Sequence, residues 1–281
     1  MLHAPCSMIY YLNGKFVEKN KAVIPVNDLG LLRAYGVFDY LKTYNRVPFH
    51  LEDHLNRFFR SASRFNLKIP VSKKELRRII FDLLAKNKSL KELSFRMVLT
   101  GGQTEDGKTS KKPTFFIVVG EAPVYPEEIY KKGIKLAILD YGREFPEIKT
   151  INYLLAVSQW KNILKKKASE ILYVSKGKVL EASTSNFFMV KNKILFTPKN
   201  EILEGVTREI VIKLAKENKI KVVEKDIHLK EVLKADECFI TATDKEVMPV
   251  VKIDNQIIGA GCPGAQTKKL LTLFRELRDN F

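Results

Sequence analysis

Cysteine is scarce in this chain, with three residues among 281. Cys6, Cys238 and Cys262 are too few and too scattered for a disulfide framework, and no pair has metal-ligand spacing. Reduced, buried thiols are the expectation. The four histidines, His3, His50, His54 and His228, show neither metal spacing nor a catalytic triad, so no metal is expected. No serine sits in a nucleophile elbow, and no glycine-rich dinucleotide fingerprint follows a strand. No apolar run reaches the roughly 18 residues of a membrane span. The opening residues, MLHAPCSMIYYLNGKF, lack the charged and apolar regions of a secretory signal, so a cytoplasmic location is expected. Solenoid repeats and low-complexity tracts are absent as well. Acidic residues are in deficit: 49 Lys and Arg face 32 Asp and Glu, a net charge of +17. That charge favours anionic partners. Its densest clusters, Lys165, Lys166 and Lys167 and separately Lys111 and Lys112, read as solvated faces. Neither nucleic acid nor a membrane is expected as a partner; the charge serves solubility and attraction of small anions.

What is present is a globular composition, 45% hydrophobic and 29% charged, long enough for a large core without staples. Met8–Leu12 and Lys15–Val17 flank Asn13-Gly14, a hairpin signal. Gly36–Tyr44 reads as a strand. Leu51–Leu67 reads as a helix with Leu55, Phe58, Phe59, Ala62 and Phe65 on one face. Ser72 caps a second helix, and Phe95–Thr100 and Thr114–Val119 read as strands around a long polar loop. EAPVYPEE reads as a linker. Beyond it come a strand at Ile134–Leu139, a helix at Tyr153–Lys167, short strands at 171–174, 179–181, 187–190 and 194–196, a helix at Thr207–Asn218 and a strand at Val222–Glu224. Strands at Cys238–Thr241 and Val247–Ile253 and a final helix after Pro263-Gly264 complete the pattern. It predicts two α+β domains: 1–120, a linker at 121–133, and a larger domain at 134–281.

Four local strings carry candidate chemistry. In REFPEIKTINYLL, Lys149 precedes an apolar helix for which Thr150 is a plausible cap; a desolvated lysine amine is suited to Schiff-base chemistry. In GKVLEASTSNFFMV, Glu181 ends a strand, where a carboxylate can meet a protonated ring nitrogen. In EILEGVTREIVIKLA, Gly205, Val206 and Thr207 open a helix whose free amides and dipole suit a phosphate. In CFITATDKEVMPVV, Thr241, Ala242 and Thr243 follow a strand with small and hydroxyl side chains, as in an anion-binding turn. Taken singly, each is as readily a surface lysine, a strand-end acid, an ordinary cap or a tight loop.

As an ordered set, with LNGKFV, VNDLGLLRAYGVFDYLKTYN, HLEDHLNRFFRSA and GCPGAQTKKLL, these strings resemble the fold-type IV pyridoxal-phosphate enzymes, the class IV aminotransferases. The resemblance covers nearly the whole chain. It implies an α+β, two-domain, D-amino-acid aminotransferase-like fold with its active site between the domains, a homodimer, and pyridoxal 5′-phosphate as cofactor. It implies that Lys149 forms the Schiff base and then moves the proton of the substrate α-carbon. Glu181 corresponds to the acid beside the pyridine nitrogen, and Arg57 to the arginine on the phosphate. Val206 and Thr207 correspond to the helix-start amides, Thr243 to a further phosphate hydroxyl, and Tyr153 to a phenol at the ring 3′-oxygen.

The subfamily pattern is mixed. Branched-chain enzymes carry a strand of the type FEGIR; here it reads Phe38-Asp39-Tyr40-Leu41-Lys42, with neither the Gly nor the Arg. GVFDYLKTYN is closer to D-amino-acid enzymes, yet GGQTEDGKT lacks the Arg and His that bind the substrate carboxylate in them. Arg96 and Arg33, the latter from the other subunit, are therefore expected to recognise that carboxylate, with Tyr35, Lys42 and Ala242 completing the substrate set. The resemblance thus implies a transaminase acting on an amino acid, D-configured by preference, and 2-oxoglutarate or pyruvate. The alternatives are a branched-chain L-amino-acid aminotransferase and 4-amino-4-deoxychorismate lyase.

Overall fold

The computed structural model describes residues 8–110 and 112–281; His3, Cys6 and Lys111 lie outside the described residues. The chain divides into two compact units. One holds the described residues to Pro123 with Ile148–Asn152 and Phe281, the other Val124–Glu147 and Tyr153–Asn280.

In the first unit, β1 (Ile9–Leu12) and β2 (Lys15–Glu18) form the expected hairpin. Asn13 and Gly14, at φ of 46° and 92°, both adopt the left-handed conformation of its tight turn. Helix α1 (Leu29–Arg33) is capped by the buried Asp28, which accepts from Gly30 N at 2.7 Å and from Thr114 Oγ1 at 2.6 Å. Then follow β3 (Gly36–Tyr44), β4 (Val47–Pro48), α2 (Leu51–Arg64), α3 (Lys73–Lys86), β5 (Leu93–Thr100) and β6 (Thr114–Glu121). Ser72 caps α3 through Glu75 N, as its sequence predicts. The strands form one antiparallel sheet in the order β2-β1-β6-β5-β3-β4. Leu55, Phe58 and Ala62 of α2 and Leu76, Ile80 and Leu83 of α3 pack with Val37, Leu41, Phe95, Met97 and Phe115 of the sheet. Each of these side chains larger than alanine contributes roughly 1.5–3 kcal/mol.

The second unit contains α4 (Glu127–Lys132), β7 (Ile134–Asp140), α5 (Leu154–Lys165), β8 (Glu170–Ser175), β9 (Lys178–Ala182), β10 (Asn186–Lys191), β11 (Ile194–Thr197), α6 (Val206–Glu217), β12 (Val222–Glu224), β13 (Ile227–His228), α7 (Leu229–Val232), β14 (Glu237–Ala242), β15 (Glu246–Ile253), β16 (Gln256–Ile257) and α8 (Ala265–Asp279). The sheet order is β12-β11-β10-β14-β15-β7-β8-β9-β13, with β16 paired to β15. Its core includes Ile171, Tyr173 and Leu180 under α5 and the fully buried Phe187, Phe188 and Phe239. Cys238 is buried, and Cys262 is exposed where burial was expected, in the turns before α8.

Three expectations change. The linker at 121–133 carries the end of β6 and helix α4, whose Glu127 and Glu128 in the first turn and Lys131 and Lys132 in the last complement the helix dipole. The residue preceding α5 is Tyr153, not Thr150, and its side chain gives the helix no capping bond; Thr150 Oγ1 accepts from Asn152 N. Lys149, expected in the C-terminal domain, belongs to the first unit because its segment pairs with β3. Phe38 N donates to Lys149 O at 2.9 Å, and Ile151 N to Gly36 O at 3.1 Å. Among the described residues no helix is long and apolar enough to cross a membrane.

Candidate active site

On the first unit, the sheet's alternation sorts β3 into two faces. Val37, Asp39 and Leu41 point to the core; Phe38 and Tyr40, on the other face, are half-buried. Lys149 Nζ lies over the Phe38 ring at 4.6 Å from its centroid. Arg96, exposed on β5 and paired with Tyr40 in the ladder, lies over the same ring at 5.7 Å and over the Tyr40 ring at 5.8 Å. An amine and a guanidinium thus share one aromatic platform. Lys42, buried further along β3, sits 4.4 Å from the Tyr44 ring.

Behind this platform α2 presents His54, Arg57 and Ser61 at helical spacing. Ser61 Oγ accepts from Lys149 N at 3.3 Å. Arg57 grips Asp39 with two donors, Nε to Oδ2 and Nη2 to Oδ1, both at 2.8 Å. His54 Nδ1 lies 2.8 Å from Asp39 Oδ1; the ionised carboxylate has no proton to give, so this nitrogen carries the hydrogen. Burial alone would raise the Asp39 pKa. The Arg57 charge and the bonds from Arg57 and His54 outweigh it and hold the carboxyl well below the usual range. His54 is shifted down, first by burial and then by the charges of Arg57 and Lys149, against the pull of Asp39. The imidazole is therefore neutral near pH 7.

The substrate residues expected around Arg33 and Tyr35 lie elsewhere on this unit. Arg33 is exposed in the last turn of α1, and its Nη1 donates to Leu32 O. The Tyr35 hydroxyl donates to Phe65 O at 2.5 Å, which commits it to the backbone after α2.

On the second unit, Glu181 in β9 is buried and held from two sides. Arg143 donates to Oε1 through Nε at 2.8 Å and also through Nη2, while Asn186 Nδ2 and Leu203 N donate to Oε2 at 3.2 and 3.0 Å. Asn186 also donates to Leu203 O at 2.7 Å, so one amide ties Glu181 to the approach to α6. That helix starts at Val206 with no side chain capping it. Gly205 is required there, since a Cβ would lie 2.0 Å from Asn186 Oδ1. Thr207 is buried in the first turn. Thr241 on β14 pairs with Asn186 on β10, and Ala242 and Thr243 lead into the turn before β15. Burial first, and then the neighbouring Tyr153, push the Tyr173 phenol up.

Sequence reasoning missed Asp39, His54, Arg143 and Asn186. His54 and Arg57, three apart on a helix, and a lone acid at an inward position of an apolar strand were the available signals. Arg143 carried none.

The amino-transferase class IV family pattern matches residues 36–253, and the chain belongs to that family. It is 37% identical to a Methanocaldococcus jannaschii protein provisionally named a branched-chain-amino-acid aminotransferase, over 96% of each chain. It is 30% identical to D-alanine aminotransferase of Bacillus licheniformis, over 92% of this chain and 93% of the relative. Its fold matches the T.th. branched-chain amino acid aminotransferase with pyridoxamine 5′-phosphate at a TM-score of 0.90 and 26% identity, covering 98% and 95% of the two chains. The protein is therefore a pyridoxal-phosphate-dependent aminotransferase of fold type IV.

The residues present fit that cofactor. Thr241 Oγ1 is buried with no hydrogen-bond partner among the described residues, on the strand paired with Asn186, and α6, whose Gly205 abuts Asn186, starts without a side-chain cap. Two such unsatisfied features are what a phosphate-binding turn requires.

Proposed function

We propose that this enzyme moves an amino group between a D-amino acid and a 2-oxo acid such as 2-oxoglutarate or pyruvate. Bound pyridoxal phosphate supplies an aldehyde for amine exchange and a ring that accepts carbanion electrons. Lys149 Nζ is the group assigned to that aldehyde and, once displaced by a substrate amine, to holding and returning the α-proton. Glu181 offers its carboxylate to the protonated ring nitrogen, with Arg143 and Asn186 fixing its direction. Arg57, the amides of Val206 and Thr207, and the Thr243 hydroxyl receive the phosphate; Tyr153 addresses the 3′-oxygen.

The observation that carries the substrate reading is the Phe38 platform, which sets Arg96 and Lys149 over one ring. Arg96 and Lys149 flank the Phe38 ring from the two neighbouring segments of β3, and Arg96 is assigned to the substrate carboxylate. Tyr40 stands in a strand where branched-chain enzymes carry glycine, and its half-buried ring lies against Arg96. Stereochemistry follows from which side of Lys149 is cationic, since one lysine can deprotonate either enantiomer. The test is absorbance of the loaded enzyme mixed with D-alanine, D-glutamate, L-leucine or L-glutamate alone. The D-acids are expected to bleach the cofactor band and a 2-oxo acid to restore it. A response to L-leucine and to neither D-acid would instead establish a branched-chain enzyme, the reading favoured by the relative at 37% identity. Arg96→Ala is expected to raise KM for amino and oxo acids roughly ten- to hundredfold, the worth of a charge-assisted hydrogen bond, with a smaller change in kcat. Unchanged KM values would remove the assignment.

Arg33 is proposed to act from a second copy of the chain, in a homodimer. Val26 and Leu31, 81% and 64% exposed, lie in the segment that leads to it. Large apolar side chains so presented favour association. Leu31→Asp is expected to convert the dimer to a monomer in sedimentation velocity; a variant that stays dimeric would remove this segment from the interface.

A further inference from the structure

A buried ion pair joins two turns of the second unit. Glu170, at the start of β8, is 2% exposed. It accepts from Thr184 N at 2.5 Å, Thr184 Oγ1 at 2.8 Å, Ser185 Oγ at 3.0 Å and Ser183 Oγ at 3.3 Å. Those residues form the turn between β9 and β10, with Glu181 two residues before it and Asn186 directly after. Lys245, in the turn between β14 and β15, reaches the same carboxylate at 3.2 Å, with Thr184 Oγ1 at 2.6 Å and Ser185 Oγ at 3.3 Å. Thr243 stands two residues before Lys245, whose own N–H closes the turn onto Ala242 O. The outer side of this turn is clamped as well: Glu246 accepts from Arg275 and Arg278 of α8, and Tyr130 Oη of α4 donates to Lys245 O.

We propose that Lys245 is a positioning residue which, through Glu170, fixes the turn carrying Thr243 against the turn following Glu181, and so sets how tightly the enzyme holds its cofactor. The inference rests on the assignment of Glu181 and Thr243 to one cofactor. The hydroxyls of residues 183–185 donate to Glu170, which leaves lone pairs of Thr184 and Ser185 for the Lys245 ammonium. Burial works against the Lys245 charge, but Glu170 first and then Asp244 outweigh it and keep the amine protonated. A neutral residue at 245 would leave the Glu170 carboxylate buried without a countercharge, and the two turns free to separate.

The test uses pyridoxamine 5′-phosphate, which forms no bond to Lys149, titrated into enzyme stripped of cofactor, with thermal melting measured in parallel. Lys245→Met is expected to bind it about tenfold more weakly and to melt lower; Lys245→Arg is expected to recover affinity. The double variant Glu170→Gln, Lys245→Met removes both charges and is expected to melt near the native temperature while still binding about tenfold more weakly. Native affinity in the double variant would reduce the pair to a structural role and overturn the proposal. Glu181→Gln and Thr243→Val serve as references: if both bind normally, the site assignment fails, and the proposal with it.

Discussion

Lys149→Ala is expected to lose transamination by a factor of at least about 10²–10⁴, the range for removal of a positioned proton carrier. The covalent link is lost as well, so a second readout separates the two roles. Borohydride treatment of the native enzyme is expected to leave a reduced cofactor adduct on the peptide that contains residue 149, and none in the variant. An adduct on another lysine, or a variant that still turns over, would overturn the assignment. The fold should survive the change. The hydrogen bonds that hold this segment are made by the main chain: Lys149 O accepts from Phe38 N, and Lys149 N donates to Ser61 Oγ, so neither depends on the side chain. A small shift in melting temperature with a large loss of rate is therefore the expected signature. Added methylamine offers a further check. It supplies a diffusible amine where the tethered one is lost, and partial rescue would place the defect in proton transfer rather than in the shape of the site.

How much of this was legible beforehand depends on the range of the forces involved. Local signals translated well: Asn13-Gly14 into a hairpin turn, Ser72 into a cap, and the Leu55, Phe58, Ala62 stripe into a core face. The family followed from ordered strings across the chain and is shown by the pattern match over residues 36–253. The unit to which Lys149 belongs was not legible, because it is decided by strand pairing with β3, more than a hundred residues away. The partners of the candidate residues were hidden for the same reason. Asp39 reads as an ordinary polar residue until α2 folds back and brings His54 and Arg57 to it. Lys245 reads as one lysine among many until β8 places Glu170 beneath it. Small outlying elements such as β13 and α7 were missed because two to four residues carry no periodicity.

The Asp39–His54–Arg57 cluster is expected to dominate both the stability of the first unit and its acid sensitivity. Asp39→Leu removes the carboxylate that the buried Arg57 guanidinium grips with two donors, a defect of about 3–5 kcal/mol. For a chain of this size that lowers the melting temperature by roughly 6–20 °C. The companion variant Asp39→Leu, Arg57→Met removes both charges and is expected to recover much of the loss, though not cofactor affinity, because the assigned phosphate arginine is gone. The acid response has two stages with the same sign. His54 is held neutral in the folded state, below its ordinary pKa, so the unfolded chain binds the extra proton; stability is complete above about pH 6.5 and declines as the pH falls below it. Asp39 is depressed too, so its contribution is complete above about pH 4 and is lost progressively below that. Denaturant unfolding from pH 7.5 to 3.5 measures both. His54→Gln keeps a hydrogen-bond donor near Asp39 but takes up no proton, and is expected to flatten the curve between about pH 6.5 and 5 while leaving the lower limb in place. A native curve that is already flat over that upper interval would mean that folding does not suppress His54 protonation. Asp39 would then hold a charged imidazole, and the neutral role assigned to His54 would fall.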